Sequence, residues 1–277
     1  MRLALVQQHT TVDKAANVER GLCAVDRAAA EGARLVCFAE LAFEHFYPQC
    51  PARPDHASQA EPVPGPITEA FTRKAKAHGV VIVLNLYERD AEGRTFDSSP
   101  VIDADGRLLG TTRMVHIADS PGFYEQGYYT PGDTGAPVYH TGVGPIGVAI
   151  CYDRHYPEYM RALALGGAQL VVVPQAGAVG EWPEGLYEAE MRVAAFQNGY
   201  YVALCNRVGK EDPLTFAGES FVCDFDGVVT ARAPQGQDAI LYADIELGET
   251  ARSHAKRLFL RDRRPELYAD WFAKNPA

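Results

Sequence analysis

A chain of 277 residues, 47% hydrophobic and 22% charged with Gly and Pro scattered throughout, is long enough for one large globular domain with a sizeable core. Its formal net charge of -10 argues against a nucleic-acid or anionic-membrane partner, either of which calls for a basic face. No apolar run of about 18 residues occurs and the opening MRLALVQQHT turns polar too soon for a signal peptide, so a cytoplasmic location is expected.

In chain order, LALVQQ (3–8) reads as a strand, 13–31 as a helix, LVCFAE (35–40) as a strand, 67–78 as a helix and VVIVLNLYE (80–88) as a strand. Continuous apolar strands alternating with amphipathic helices are the mark of βαβ units, which places the chain in the α/β class. Residues 95–117 depart from this rhythm. FDSSPVID, the turn ADGR and LLGTTRMVHI predict a hairpin, because D-G is a strong turn signal, and the sheet is therefore mixed. A Gly-, Pro- and Tyr-rich loop follows, then PVYHT, PIGVAIC, a helix over 157–166, LVVVP, a helix over 184–198, YVALCN and three short strands between 218 and 246. The basic stretch RSHAKRLFLRDRR (252–264) reads as a solvated helix or docking tail, with a phosphate-binding patch as the other reading. No linker, repeat array or low-complexity tract divides the chain, so residues 1–277 are taken as a single domain.

Two strands end in side chains that can carry chemistry. The stretch GPIGVAICYDRHYPEYMRALALGGAQLVVVPQ (144–175) sets Cys151 on a strand-to-helix connection, where backbone N–H groups can stabilise a thiolate and later an oxyanion. Asp153, Arg154, His155 and Glu158 follow within seven residues, a poor setting for an inert core thiol. A thiol with a pKa of about 8.5 is mostly protonated at neutral pH and needs a base. His155 is near in sequence but points away by strand-to-helix geometry. Glu40, at the end of an apolar strand in ARLVCFAELAFEHFYP (33–48), is the better base, since burial there raises a carboxyl toward the range useful for proton transfer. A thiol protease would lean on a Cys–His pair instead, and a zinc enzyme would need clustered ligands. The six cysteines and the histidines show neither C-x-x-C nor H-x-x-x-H spacing, so no metal is expected and most thiols should be reduced.

Taken together, FAEL (38–41), YYTPGDTG (128–135) and ICYDRHYPE (150–158) resemble the signature segments of the nitrilase superfamily, the carbon–nitrogen hydrolases. The resemblance extends through EAEMRVAAFQNGYYVALCNRVG (188–209), GESFVCDFDG (218–227) and RRPELY (263–268), and is strongest toward the branch acting on N-carbamoyl (ureido) compounds. It implies a four-layer αββα sandwich with mixed sheets, a C-terminal dimerisation tail with assembly as a homodimer or larger homo-oligomer, and no cofactor. It also implies roles: Cys151 as nucleophile, Glu40 as general base and Glu125 as a second glutamate beside the thiol. The reaction would pass through a thioester on Cys151 as a small amide or N-carbamoyl substrate loses ammonia or an amine. Arg154 matches the family position that holds a substrate carboxylate, and it can equally be a structural partner of Asp153 or Glu158. His155, Tyr47, Phe46, Tyr124, Gln175 and Trp182 lie in segments expected around the pocket.

One segment departs from the pattern. Where the family resembles Gly, a few residues, Arg, Lys, one residue, His, this chain reads Gly110, Thr111, Thr112, Arg113, Met114, Val115, His116. The position matching the catalytic lysine holds Met114, which has neither charge nor donor for an oxyanion. On strand alternation His116 shares the face of Met114 and is the easier substitute, while Arg113 is the stronger cation on the opposite face. Two expectations follow: a hydrolase with an altered electrophilic element, or a non-hydrolytic family member that binds a small amide or amino acid ligand.

Overall fold

The first half of the chain builds one sheet. β1 (Arg2–Gln7), α1 (Lys14–Ala30), β2 (Ala33–Phe38), α2 (Pro66–His78), β3 (Val81–Val83), β4 (Leu86–Arg89), β5 (Thr95–Ile102) and β6 (Leu108–Arg113) follow in order. The second half gives β7 (Val138–Thr141), β8 (Gly144–Val148), α3 (Pro157–Leu165), β9 (Leu170–Gln175), α4 (Leu186–Asn198), β10 (Tyr201–Asn206), β11 (Val208–Lys210), β12 (Thr215–Ala217), β13 (Phe221–Cys223), β14 (Val229–Arg232), β15 (Ala239–Asp244) and α5 (Pro265–Lys274). The computed structural model describes residues 1–274.

Each half repeats one device. β1, β2 and β3 run parallel, as do β8, β9 and β10, with helices crossing between them, and antiparallel strands extend both edges. Side-chain alternation along the strands then divides the molecule into layers. Leu3, Leu5, Leu35 and Cys37 point at Leu170, Val172, Ala203 and Cys205 of the second sheet. Their neighbours Ala4, Val6, Val36 and Phe38 pack on Val25 of α1 and Phe71 of α2. On the far side Val171, Val173, Val202 and Leu204 pack on Leu163 of α3 and Met191 of α4. The result is the expected four-layer αββα sandwich with mixed sheets. Each fully buried Leu or Phe contributes about 1.5–3 kcal/mol to holding these layers together.

Several expectations are refined. The strand expected over 80–88 is interrupted between β3 and β4, yet its register against β5 runs on, with Val83 opposite Val101 and Leu86 opposite Ser98. The break falls opposite Pro100, which has no N–H to give, although its carbonyl still accepts from Leu84 at 3.1 Å. The hairpin strand expected to reach residue 117 stops at Arg113, because the N–H groups of Val115 and His116 donate to the Asp153 carboxylate instead of continuing the ladder. The small β11–β12 hairpin has no counterpart in the sequence reading. All six cysteines are free thiols, and Cys37, Cys151, Cys205 and Cys223 are buried. Among the described residues no helix is long and apolar enough to cross a membrane.

Candidate active site

Glu40 and Cys151 are delivered from opposite sheets. Beyond β2 the chain turns sharply, with Leu41 in the left-handed region at φ 43°. Arg207, just past β10, holds that turn: its guanidinium donates to the carbonyls of Glu40 at 2.8 Å and Glu44 at 3.0 Å, and to that of Leu41. The charge of this buried arginine is met by Glu211, whose carboxyl is lowered to about 2 despite burial, mainly by Arg207. Beyond β8 the backbone turns again at Cys151, itself left-handed at φ 39°. Such a conformation costs about 1–3 kcal/mol in a non-glycine residue and recurs where a side chain must be presented. A 3-10 turn, Cys151–His155, separates the thiol from α3, which begins at Pro157. The expected benefit of a helix N-terminus to the thiolate is therefore not supplied by α3.

Glu125 enters from the aromatic loop, on the 3-10 turn Glu125–Gly127. One oxygen, Oε2, accepts from the Ala118 N–H at 3.1 Å, and the other has no partner. Neither oxygen of Glu40 accepts from a backbone or amide donor, and the groups within hydrogen-bonding reach of it are the Cys151 thiol and the Asp97 carboxyl. Glu40 and Glu125 are both 0% exposed and Cys151 is 5% exposed. One ligating atom from each lies within 4.8 Å of the other two, so the three side chains meet at a single point. This trio is also the one group among the described residues with the reach to hold a metal ion.

A third carboxyl stands beside them. Asp97 of β5 accepts from Asn85 Nδ2 at 2.5 Å, and Asn85 in turn accepts from the Leu41 N–H at 2.7 Å, which ties the base-bearing turn to the adjoining strand. The Met114 N–H donates to the Asp97 carbonyl at 2.9 Å, and the Met114 and Cys151 side chains are both buried in the large core between the sheets. The Tyr129 hydroxyl is buried without a partner, and its ionisation is opposed first by burial and then by Asp97, Glu40 and Glu125.

With no cation among them, these groups favour their neutral forms. Burial, then repulsion from Asp97 and Glu125, lifts the Glu40 carboxyl well above its ordinary range. Glu125 is lifted by burial and then by Asp97. Burial pushes Asp97 up to about 7, against the pull of the Asn85 hydrogen bond. The Cys151 thiol rises for the same reasons, burial first and the two glutamates next, with Arg154 pulling the other way. The sign for stability follows. Asp97 keeps its proton in the fold over a range in which the unfolded chain, at about 3.8, has lost it, so unfolding releases protons and stability falls as pH rises between those values. Asp97→Asn should therefore flatten the decline in urea stability between pH 4 and 7, by up to about 1.4 kcal/mol per pH unit. Equal slopes in the two proteins would contradict this.

The other expected contacts divide into four groups. Gln175, at the end of β9, reaches the nucleophile directly, its Nε2 3.3 Å from Sγ. Arg154 joins them through bonds of 3.0 Å to the Cys151 carbonyl and to Gln175 Oε1, while its buried Nη2 has no partner. His155 and Trp182 form a rim: the histidine pairs with Glu190 at 2.6 Å and its ring meets the indole edge-on at 5.1 Å. Phe46 packs in the core against Phe123 and Phe216, and Tyr124 is half-buried beside the Glu125 turn. Tyr47 stands apart. Its hydroxyl donates to Glu44 at 3.1 Å, and it lines a surface cavity of about 460 Å³ with Lys14, His45, Arg53 and His56 rather than with Cys151.

The two expected substitutes for a lysine are both engaged elsewhere. Arg113 pairs with Glu88 at 2.6 Å and Asp133 at 2.9 Å and lies over the Phe96 ring. His116 pairs with Asp153 at 2.7 Å and stacks on Tyr156 at 3.5 Å. The alternation argument fails at His116 because the strand has already ended there. Asn85, Asp97, Tyr129 and Arg207 are absent from the sequence reading. For Asp97 a signal existed, since an acid inside a continuous strand whose every residue is buried needs a reason.

Comparison with known proteins shows the family. The model of the carbon–nitrogen hydrolase family matches residues 2–255. The chain belongs to the carbon–nitrogen hydrolase family. Within the family it is 35% identical to an N-carbamoylputrescine amidase of Solanum lycopersicum, over 96% of this chain and 93% of that protein. The structure of a carbon–nitrogen hydrolase from Helicobacter pylori superposes with a TM-score of 0.91 at 32% identity, covering 98% of both chains. A glutamate-to-glutamine mutant of an amidase from Nesterenkonia sp. AN1, showing covalent addition of the acetamide moiety of fluoroacetamide at its active site cysteine, superposes with a TM-score of 0.83 at 25% identity, covering 98% of this chain and 96% of that one. As a carbon–nitrogen hydrolase, this protein holds its buried Cys151 where a nucleophile is expected.

Proposed function

We propose that the protein hydrolyses a carbon–nitrogen bond in a small amide or N-carbamoyl compound, with Cys151 as nucleophile and a thioester as intermediate. The convergence of Cys151, Glu40 and Glu125 within 4.8 Å, buried and with three carboxylate oxygens unpartnered, carries the reading. Glu40 takes the thiol proton as sulfur attacks the carbon, and passes it to the departing nitrogen. Water then enters, loses a proton to the same carboxylate and releases the acid. Glu125, fixed by the Ala118 N–H, orients the attacking groups and shields them from solvent. Gln175 steadies the sulfur, and the free Nη2 of Arg154 is available to an anionic group on the substrate. The covalent adduct in the related amidase and the carbamoyl substrate named for the tomato relative support the class. Leu258, Phe259, Leu267 and Phe272, large apolar side chains exposed near the C-terminus, support a tail that docks on a second copy.

Met114 favours a second reading, in which turnover of neutral amides is impaired and the site mainly binds its ligand. One experiment separates the two: ammonia release from a panel of amides, nitriles and N-carbamoyl amino acids, with intact-mass detection of an adduct on Cys151. Release above a Cys151→Ala control is expected. Ligand-induced thermal stabilisation with no release and no adduct would replace hydrolysis by binding.

A further inference from the structure

Acids outnumber cations around Cys151, and among the described residues no cation pairs with the Glu40, Asp97 or Glu125 carboxyls. Glu40, Asp97 and Glu125 are buried, and four of their six carboxylate oxygens have no partner except one another and the Cys151 thiol. Glu181 adds a fourth acid close enough to oppose ionisation of the thiol. Of the neighbouring cations, Arg113 is committed to Glu88 and Asp133, His116 to Asp153 and Arg207 to Glu211, while Arg154 bonds the Cys151 carbonyl, Gln175 and Glu190 and keeps only its Nη2 free. The side chain whose backbone pairs with Asp97 is the thioether of Met114, 1% exposed. Buried carboxylates without a counter-charge or donors are costly, and such a cluster persists where a ligand completes it.

We propose that the preferred substrate is an amidinium-type cation, an amidine or a guanidine, whose own charge sits among Glu40, Glu125 and Asp97 with its carbon facing Cys151. This rests on the covalent-cysteine reading above and names the reacting group. An amidinium presents N–H donors in a plane, which suits flanking carboxylates, and its arrival stabilises their ionised forms so that Glu40 becomes a competent base.

The chemistry then needs no oxyanion donor. Glu40 takes the thiol proton, the sulfur electron pair forms the C–S bond, and the C=N π pair of the amidinium retreats to nitrogen. Attack on a neutral amide builds a negative oxygen, whereas attack on this cation gives a neutral tetrahedral adduct. Glu40 returns the proton to one nitrogen, ammonia leaves, and the remaining nitrogen reforms C=N⁺ as a thioimidinium. Water adds to that cation with its proton passing to Glu40, again giving a neutral adduct. Collapse forms C=O and breaks C–S, and the nitrogen gives up no electrons. Sulfur leaves with the bonding pair and recovers a proton from Glu40, while the hydroxyl proton of the adduct goes to the ammonia released earlier. An amidine thus yields an amide and ammonium, and a guanidine yields a ureido compound and ammonium, each with uptake of one water.

Matched pairs test this: propionamidine against propionamide, and 3-guanidinopropionate against its N-carbamoyl twin. Ammonia release by the native protein should favour the cationic member of at least one pair by tenfold or more, and the pair that responds distinguishes amidine from guanidine. Met114→Lys should reverse the preference, because a fixed ammonium repels the cation and serves the neutral twin. Equal or faster release from the neutral members overturns the proposal and leaves the hydrolase reading intact. Release from none removes the hydrolase reading, and thermal stabilisation then decides the charge question: stabilisation by propionamidine above that by propionamide upholds a cation site, and the reverse overturns it. One tightly held divalent ion per chain, found by metal analysis, also overturns it, since the trio would already carry its counter-charge.

Discussion

Glu40→Gln lowers kcat/KM for ammonia release by about 10²- to 10⁴-fold, the usual contribution of a positioned general base. Gln keeps the volume and an amide oxygen in place of the carboxylate, so the buried turn held by Arg207 has no reason to move; only the proton acceptor is lost. A second readout identifies the cause. The same substitution should slow iodoacetamide alkylation of Cys151 at neutral pH, because the buried thiol then has no carboxylate to take its proton. A variant whose urea stability also collapses would point to a disturbed fold, and one that loses neither turnover nor alkylation would remove Glu40 from the chemistry.

Met114→Lys acts in the opposite direction. For neutral amides and ureido compounds it should raise turnover by about 100- to 1,000-fold, the amount typically lost when one oxyanion donor is removed from an otherwise intact hydrolase. An ammonium on this residue, whose backbone pairs with that of Asp97, is expected to meet unpartnered carboxylate oxygens, so that its desolvation is offset by opposite charge. It should also draw the pKa values of Glu40, Glu125 and Asp97 downward and so reverse part of the pH dependence of stability. The paired measurement is ammonia release on neutral substrates and urea stability at pH 5 and 8. Unchanged turnover with unchanged pH dependence would mean that residue 114 does not face the reacting groups.

Reading the sequence went furthest where local chemistry and position coincide. A continuous apolar strand ending in Glu40, and another ending just before Cys151, locate both groups at strand ends, where open α/β sheets bind their ligands. The four layers were implied by the family resemblance and not by periodicity, and in the fold they are built by the alternation that makes Leu3 and Leu5 face one way and Ala4 and Val6 the other. What stayed hidden depends on contacts between distant segments. Arg207 lies 167 residues from the Glu40 carbonyl that it holds, and nothing in NRVG announces that errand. His116 looked available because alternation was carried past the end of β6, whose end is dictated by Asp153 from the other half of the chain. Tyr47 has a suitable sequence neighbourhood, but its hydroxyl turns to Glu44 and away from the thiol.

The base hangs from the first sheet and the thiol from the second, with the dry layer of Leu35, Cys37, Val148, Leu170 and Val172 between them. That layer therefore works as a gauge block. Because a packed interior barely compresses, the gap between proton acceptor and sulfur is set by the summed thickness of hydrocarbon side chains rather than by any loop. A methylene removed deep in the interior, far from every polar atom, is accordingly felt at the reacting centre as a change of reach.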